Sequence, residues 1–369
     1  MKWIQWLTLS SILFGFLEDA RGAQSFQDEV EQDVLMTRRL PVYLLHQLGE
    51  VRISGTVQDR IRVKMRFQMM AETREEAEQA FKTLGLVTFE TRERFEVRVG
   101  HARGQDLVSK MRARVKNSVR VDLDIRAPYQ SDLTLVLGEG RSLKVDQWRG
   151  GLTLSGKNSG IDLQRLEMTK PLVVNCSKCP LTLRDSRVNG RLVVGSKPVL
   201  IERVESPGQL SVDQGSEEVR VLKSRGVLSV HSGSGPLTVE GYSGVVHFQS
   251  DEGGAFLSQI EGSANVRTQS GQVMLDFEAL KGPVHVDTER SDVQIALHPA
   301  FEGSLDLMSL RGEVMVQFPY EIRKGARQVL YGPVSPGRVD AVVGSHQGQY
   351  VHAYTRQGGV RILRKAPSK

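Results

Sequence analysis

Short apolar couplets recur about every nine to ten residues from Leu143 to Phe318. Leu143/Val145, Leu152/Leu154 and Ile161/Leu163 open the series, Leu228/Val230, Leu237/Val239 and Val246/Phe248 lie in its middle, and Leu305/Leu307 and Val314/Val316 close it. Alternate residues of a strand point to opposite faces, so each couplet puts two side chains inward and the residue between them outward. Lys144, Thr153, Asp162, Thr182, Ser211, Ser229, Thr238 and His247 are such intervening residues. A strand this short cannot bury its pair alone, but stacked on neighbours the pairs make one continuous core. Corners are supplied by Ser159-Gly160, Gly233-Ser234-Gly235 and Ser270-Gly271, where glycine gives the backbone freedom a sharp turn needs. The expectation is an all-β chain, a β-solenoid of β-helix type. A sandwich or barrel also has short strands at this spacing, but a near-constant period over so many units favours the solenoid. Two strands per coil would take about 19 residues and three about 28. Val173 and Val193 sit where a polar residue is usual, two couplets apart, and a two-strand coil would stack them on one outer face.

The regions on either side differ. Lys2, the apolar run Trp3 to Leu17 and the small residues Ala20 and Gly22 read as a secretory signal over 1–22, cleaved before Ala23. The mature chain is then expected outside the cytoplasm: periplasmic, associated with the outer surface, or secreted. Residues 23–40 are polar and charged and read as a mobile lead. The stretch 23–130 is β-rich with one helix at about 72–84, where Thr73 can cap, Glu75 and Glu76 favour the first turn, and Ala77, Ala80 and Phe81 form an apolar stripe. Its expected role is a cap on the solenoid of 131–318, since an open end exposes unpaired strand groups. Residues 319–369 read as final strands and a frayed tail. No stretch after the leader is apolar enough for a transmembrane helix. The 36 glycines among 369 residues suit a turn-rich β protein, and a net charge of +6 allows an anionic partner without demanding one.

The segments Val121-Asp122-Leu123-Asp124-Ile125-Arg126-Ala127-Pro128, Ser159-Gly160-Ile161-Asp162-Leu163 and Gln269-Ser270-Gly271-Gln272-Val273-Met274-Leu275 follow one order: an extended strand ending in proline, then Ser-Gly corners before apolar-x-apolar strands. With the closing Tyr354-Thr355-Arg356-Gln357-Gly358-Gly359-Val360-Arg361-Ile362, this order resembles a bacterial putative-adhesin family, a domain of unknown function. The resemblance implies an envelope or surface β-solenoid acting by binding, and brings no catalytic residues. Coils such as those at Lys197-Pro198 and Ser206-Pro207 lack the Ser-Gly corner.

Cys176 and Cys179 are the only cysteines. A C-x-x-C pair can be redox-active or half a zinc site, but redox use wants a helix N-terminus, and strands flank this pair. Zinc would need two more ligands, and no histidine lies near in sequence. A local disulfide fits an oxidising compartment, with free thiols as the alternative. His231, His247 and His285 recur in coils but do not share one place in their strands, and read as surface residues. Asp162, Asp185, Asp213 and Glu240 are the acidic residues a polysaccharide lyase or hydrolase on a β-helix could use, although their spacing singles out no pair. No cofactor, metal or nucleic-acid partner is expected.

One feature has a definite charge. Arg60, Arg62, Lys64 and Arg66 alternate with Ile61, Val63, Met65 and Phe67; Lys110, Arg112, Arg114 and Lys116 alternate with Met111, Ala113 and Val115; Arg94 and Arg98 flank Phe95 and Val97. If these strands are neighbours they present a dense basic face, an expected site for an anionic glycan, lipopolysaccharide or another envelope component. The alternative is a solvated face relieved by Glu96, Asp122 and Asp124.

Overall fold

The computed structural model describes residues 24–36, 38–46, 49–83, 85–99, 119–322, 329–334, 337–344 and 349–365. Residues 1–22, read from sequence as a secretory signal, and the alternating run Lys110 to Lys116 lie outside them. Among the described residues the fold is all-β with one helix. It divides into two compact units at Pro180/Leu181.

The first unit is built on two ladders. In one, Phe95–Val99, Val42–His46, Leu133–Leu137, Leu152–Lys157 and Leu172–Ser177 lie side by side in parallel, with Leu86–Glu90 antiparallel at the outer edge. In the other, Val119–Pro128, Val51–Thr56, Ser142–Asp146 and Gly160–Gln164 run parallel, with Arg60–Ala71 and then Gln24–Leu35 antiparallel beyond them. Each coil gives one strand to each ladder, so a coil has two strands. The coil of Val42 and Val51 is out of chain order: it lies between the coil of Phe95 and Leu123 and the coil of Leu133 and Leu143.

Residues 24–35, read from sequence as part of a mobile lead, are a strand of 12 residues paired along its whole length with Arg60–Ala71. The physical reason is complementary alternation: Glu29, Glu31 and Asp33 fall opposite Arg66, Lys64 and Arg62. The helix is Arg74–Thr83. Thr73 caps it, its Oγ1 accepting from the Glu76 amide at 3.2 Å, while Glu76 accepts from the Glu72 amide at 3.2 Å. Ala77 and Ala80 pack on Phe26, Met69 and Ala71, and Phe81 lies 5.5 Å from the Phe67 ring. The helix thus covers the two antiparallel end strands.

The second unit repeats the plan over more coils. One ladder pairs Leu181, Val199, Val219, Leu237, Ala255, Val273, Val293, Val360 and Val314 in register. The other pairs Leu210, Leu228, Val246, Ala264, Val284, Val351 and Leu305. Leu237, Ala255 and Val273 are 18 residues apart, and Val273 and Val293 are 20 apart. This is the two-strand coil. The plan departs from a clean solenoid at its end, where the coil of Val351 and Val360, last in sequence, is inserted before the coil of Leu305 and Val314. Antiparallel strands Val329–Val334 and Arg338–Val343 then pair with that outer coil.

Every couplet of the sequence series named above is buried, as is Ala255/Leu257, which the spacing passes over because alanine makes a weak apolar signal. Val173 is 40 % exposed and Val193 half-buried, so neither is covered in full. Both corners are chemically specified. At one, buried hydroxyls stack in register as Ser232, Ser250, Thr268, Thr288, Thr355 and Ser309. Ser250 Oγ accepts from the Gly253 amide at 2.7 Å, Thr355 Oγ1 from Gly358 at 3.0 Å and Ser309 Oγ from Gly312 at 2.8 Å. These bonds satisfy turn amides that the ladders leave free. At the other corner Gly226, Gly244 and Gly262 stack. A Cβ on Gly244 would lie 2.0 Å from the Gly226 carbonyl oxygen, and its φ of +141° suits only glycine.

Candidate functional site

The alternating strand Arg60–Ala71 buries Ile61, Val63, Met65 and Phe67, which turns Arg60, Arg62, Lys64 and Arg66 outward. Carboxylates meet all four. Arg60 lies 3.5 Å from Asp33, Arg62 3.1 Å from Asp33 and 3.3 Å from Glu31, and Lys64 and Arg66 2.6 and 3.3 Å from Glu29. On the other side Lys64 faces Asp124 and Arg66 faces Asp122 in register, while Arg62 faces Arg126. The Lys64 hydrogen bond, with Arg66 beside it, holds the Glu29 carboxyl below the usual range. Exposed pairs of this kind contribute about 0–1 kcal/mol each, so the face is a charge-compensated ladder with little stake in stability.

Arg94 and Arg98 are not on that ladder. They belong with Phe95–Val99 in the first unit's other ladder, and both pair with the buried Glu96. Arg94 lies over the Tyr43 ring at 4.5 Å and Arg98 over Phe89 at 5.2 Å. Lys110, Arg112, Arg114 and Lys116 fall outside the described residues. Among the described cations, Arg60, Arg62, Lys64 and Arg66 lie on one ladder and Arg94 and Arg98 on the other.

Cys176 and Cys179 form a disulfide at a corner of the first unit, where Cys179 Sγ accepts from the Ser159 amide at 3.3 Å. The acidic candidates are dispersed. Asp162 accepts from Gln164 Nε2 at 2.9 Å, Asp213 pairs with Arg191 at 2.7 Å and Asp185 with Arg203 at 2.5 Å, while Glu240 stands on the outward side of Leu237–Ser250. Glycosidic hydrolysis wants two carboxyl groups flanking one bond, and these four do not converge. Among the described residues no group of three metal-ligating side chains is placed to hold an ion, and no helix is long and apolar enough to cross a membrane.

The second unit carries a feature that sequence spacing does not reveal. On the outer face of its second ladder Ser211, Ser229, His247, Asn265, His285, His352 and Asp306 are successive partners in register. They form a line across seven strands, spaced about 4.8 Å per strand. His285, Tyr350 and His352 cluster, with ring centroids 5.6, 6.0 and 6.4 Å apart. Asp306 Oδ2 lies 3.0 Å from His352 Nδ1 and accepts from the Tyr350 hydroxyl at 3.3 Å. His285 and His352 lie 67 positions apart, joined by the inserted coil. Only the periodic placement of His247 and His285 between core residues hinted at the line.

No curated protein matches the sequence. A crystal structure of a putative cell adhesion protein from Clostridium sporogenes is similar over 92 % of this chain and 100 % of that one, at 11 % identity and a TM-score of 0.20, too loose a superposition to carry an argument. A family model described as Toastrack DUF4097 matches residues 197–348, a stretch that holds all of the stacked hydroxyls but Thr355 and all of the outward line but His352. Across those residues, this chain is similar to the Toastrack DUF4097 family.

Proposed function

We propose that this chain is a non-catalytic binding protein of the bacterial envelope, an adhesin-like or scaffold protein that works outside the cytoplasm. The observation that carries this reading is the line from His247 to Asp306: side chains presented at even steps along a face, as a binding surface requires, instead of converging on one bond as catalysis requires. The leader over 1–22 and the Cys176–Cys179 disulfide support the location, since disulfides persist in oxidising compartments. The rival is a carbohydrate-active enzyme. Incubating the purified mature chain with soluble polysaccharides and with envelope fractions separates the two. The expected outcome is no new reducing ends and no unsaturated sugar products at any pH between about 5 and 8, the range in which histidine and carboxylate chemistry would operate. Release of either product would make the protein an enzyme.

A further inference from the structure

The outer face of the second unit is not uniform. One row along it runs Asp213, His231, Gln249, Arg267, Asp287 and Tyr354. Its charges are largely consumed, Asp213 by Arg191 at 2.7 Å and Asp287 by Arg267 at 3.5 Å. In the neighbouring row, His247 and Asn265 are exposed and His285 half-buried, and none of their side chains has a hydrogen-bond partner among the described residues. Beyond them the ring cluster is ordered by Asp306, whose Oδ2 holds both His352 and Tyr350. With its proton on Nδ1, His352 donates to Asp306 and offers Nε2 as an acceptor.

Such a strip has a definite chemical preference. Half-buried rings present apolar faces at low entropic cost, and the amide and imidazole groups beside them donate and accept without carrying full charge. Asp306 stands in the strip itself and would repel a polyanion, while the pairing of Asp213 and Asp287 with arginines leaves the neighbouring row close to neutral. Uncharged, hydroxyl-rich chains with apolar ring faces match every part of it. We infer that His247, Asn265, His285, Tyr350, His352 and Asp306 bind a neutral linear polysaccharide that lies across the strands, its sugars stepping along the rungs. This inference rests on the binding reading above and names its ligand class and its face.

Affinity electrophoresis tests it. The mature protein is run through native gels containing dextran, laminarin, hydroxyethyl cellulose or galactomannan, and through a heparin gel. Retardation is expected in at least one neutral polymer, unchanged by 0.5 M NaCl in the sample and about tenfold weaker in a His285→Ala/Tyr350→Ala double variant whose circular dichroism matches the parent, the loss of roughly one stacking and one hydrogen-bonding contact. Should that variant not fold, Asn265→Ala, which removes only an exposed amide, should weaken retardation in the same gel. No retardation by any neutral polymer overturns the inference. So does retardation that the folded variants keep, or salt-sensitive retention on heparin alone. Cleavage of a gel polymer is a separate outcome, and sinks the binding reading itself.

Discussion

Leu237→Asp should unfold the second unit, whereas Thr238→Asp, one residue on, should leave it intact. Leu237 is fully buried between Val219 and Ala255 in the ladder. Removing a buried leucine forfeits about 1.5–3 kcal/mol of burial. The carboxylate that replaces it must stay charged without a partner or take up a proton, which brings the total beyond the ~4–5 kcal/mol that marks exceptional substitutions. Thr238 points the other way and pairs with Arg220. An aspartate there gains an opposite charge across the strand, so its effect should stay within about 0.5 kcal/mol. Far-UV circular dichroism during urea unfolding makes the measurement, because the tryptophans, Trp3, Trp6 and Trp148, all lie outside the second unit. Equal stability of the two variants would mean that the couplets do not face inward.

The first unit should lose stability as pH falls from neutrality towards 5, through one residue. His46 is buried, and both ring nitrogens are shut away from water. Burial pushes its pKa down to about 4; the Val121 backbone pulls the other way, Arg141 adds to the depression and the Asp122 carboxylate opposes it. The unfolded chain takes up a proton near pH 6.5 and the folded chain does not until about 4, so acid favours the unfolded state throughout that window. Stability is therefore constant above about 6.5 and falls by about 2 kcal/mol by pH 5. The depressed carboxyls Glu29 and Asp132 add their losses lower, as pH drops through the ordinary carboxylate range and below. Urea titrations followed by Trp148 fluorescence should show this slope in the parent and a flat profile between pH 7 and 5 in His46→Leu. The same slope in both would show that the imidazole is solvated in the folded chain.

What could be read ahead of the structure was the local alternation. Leu237/Val239 and Val246/Phe248 declare an inward face because period-two spacing is a property of a few adjacent residues. Thr73 and Glu76 declare the helix start in the same way. The acidic alternation of Glu29, Glu31 and Asp33 was equally visible, but it gains meaning only against Arg62, Lys64 and Arg66, and that antiparallel pairing is not local. The cations of Arg60–Ala71 consequently read as a binding face, when their own neighbouring strand supplies the counter-charges. The permuted coils were illegible for a related reason. The Val351/Val360 coil fits the ladders at any rung by its couplets alone, and its insertion beside Val284 and Val293 is what brings Tyr350 and His352 to His285.

The claim on which the binding reading stands is that the second unit's coils form one unbroken parallel ladder, so that Ser211 and Asp306 end a straight line. Six strand steps separate them, through Ser229, His247, Asn265, His285 and His352. Spin labels at positions 211 and 306, measured by double electron–electron resonance, should give one narrow distribution centred near ~29 Å, six strand spacings of ~4.8 Å. A mean below about 20 Å, fewer than five such spacings, or a distribution spread over several spacings, would contradict the ladder and with it the line of side chains proposed to hold a ligand.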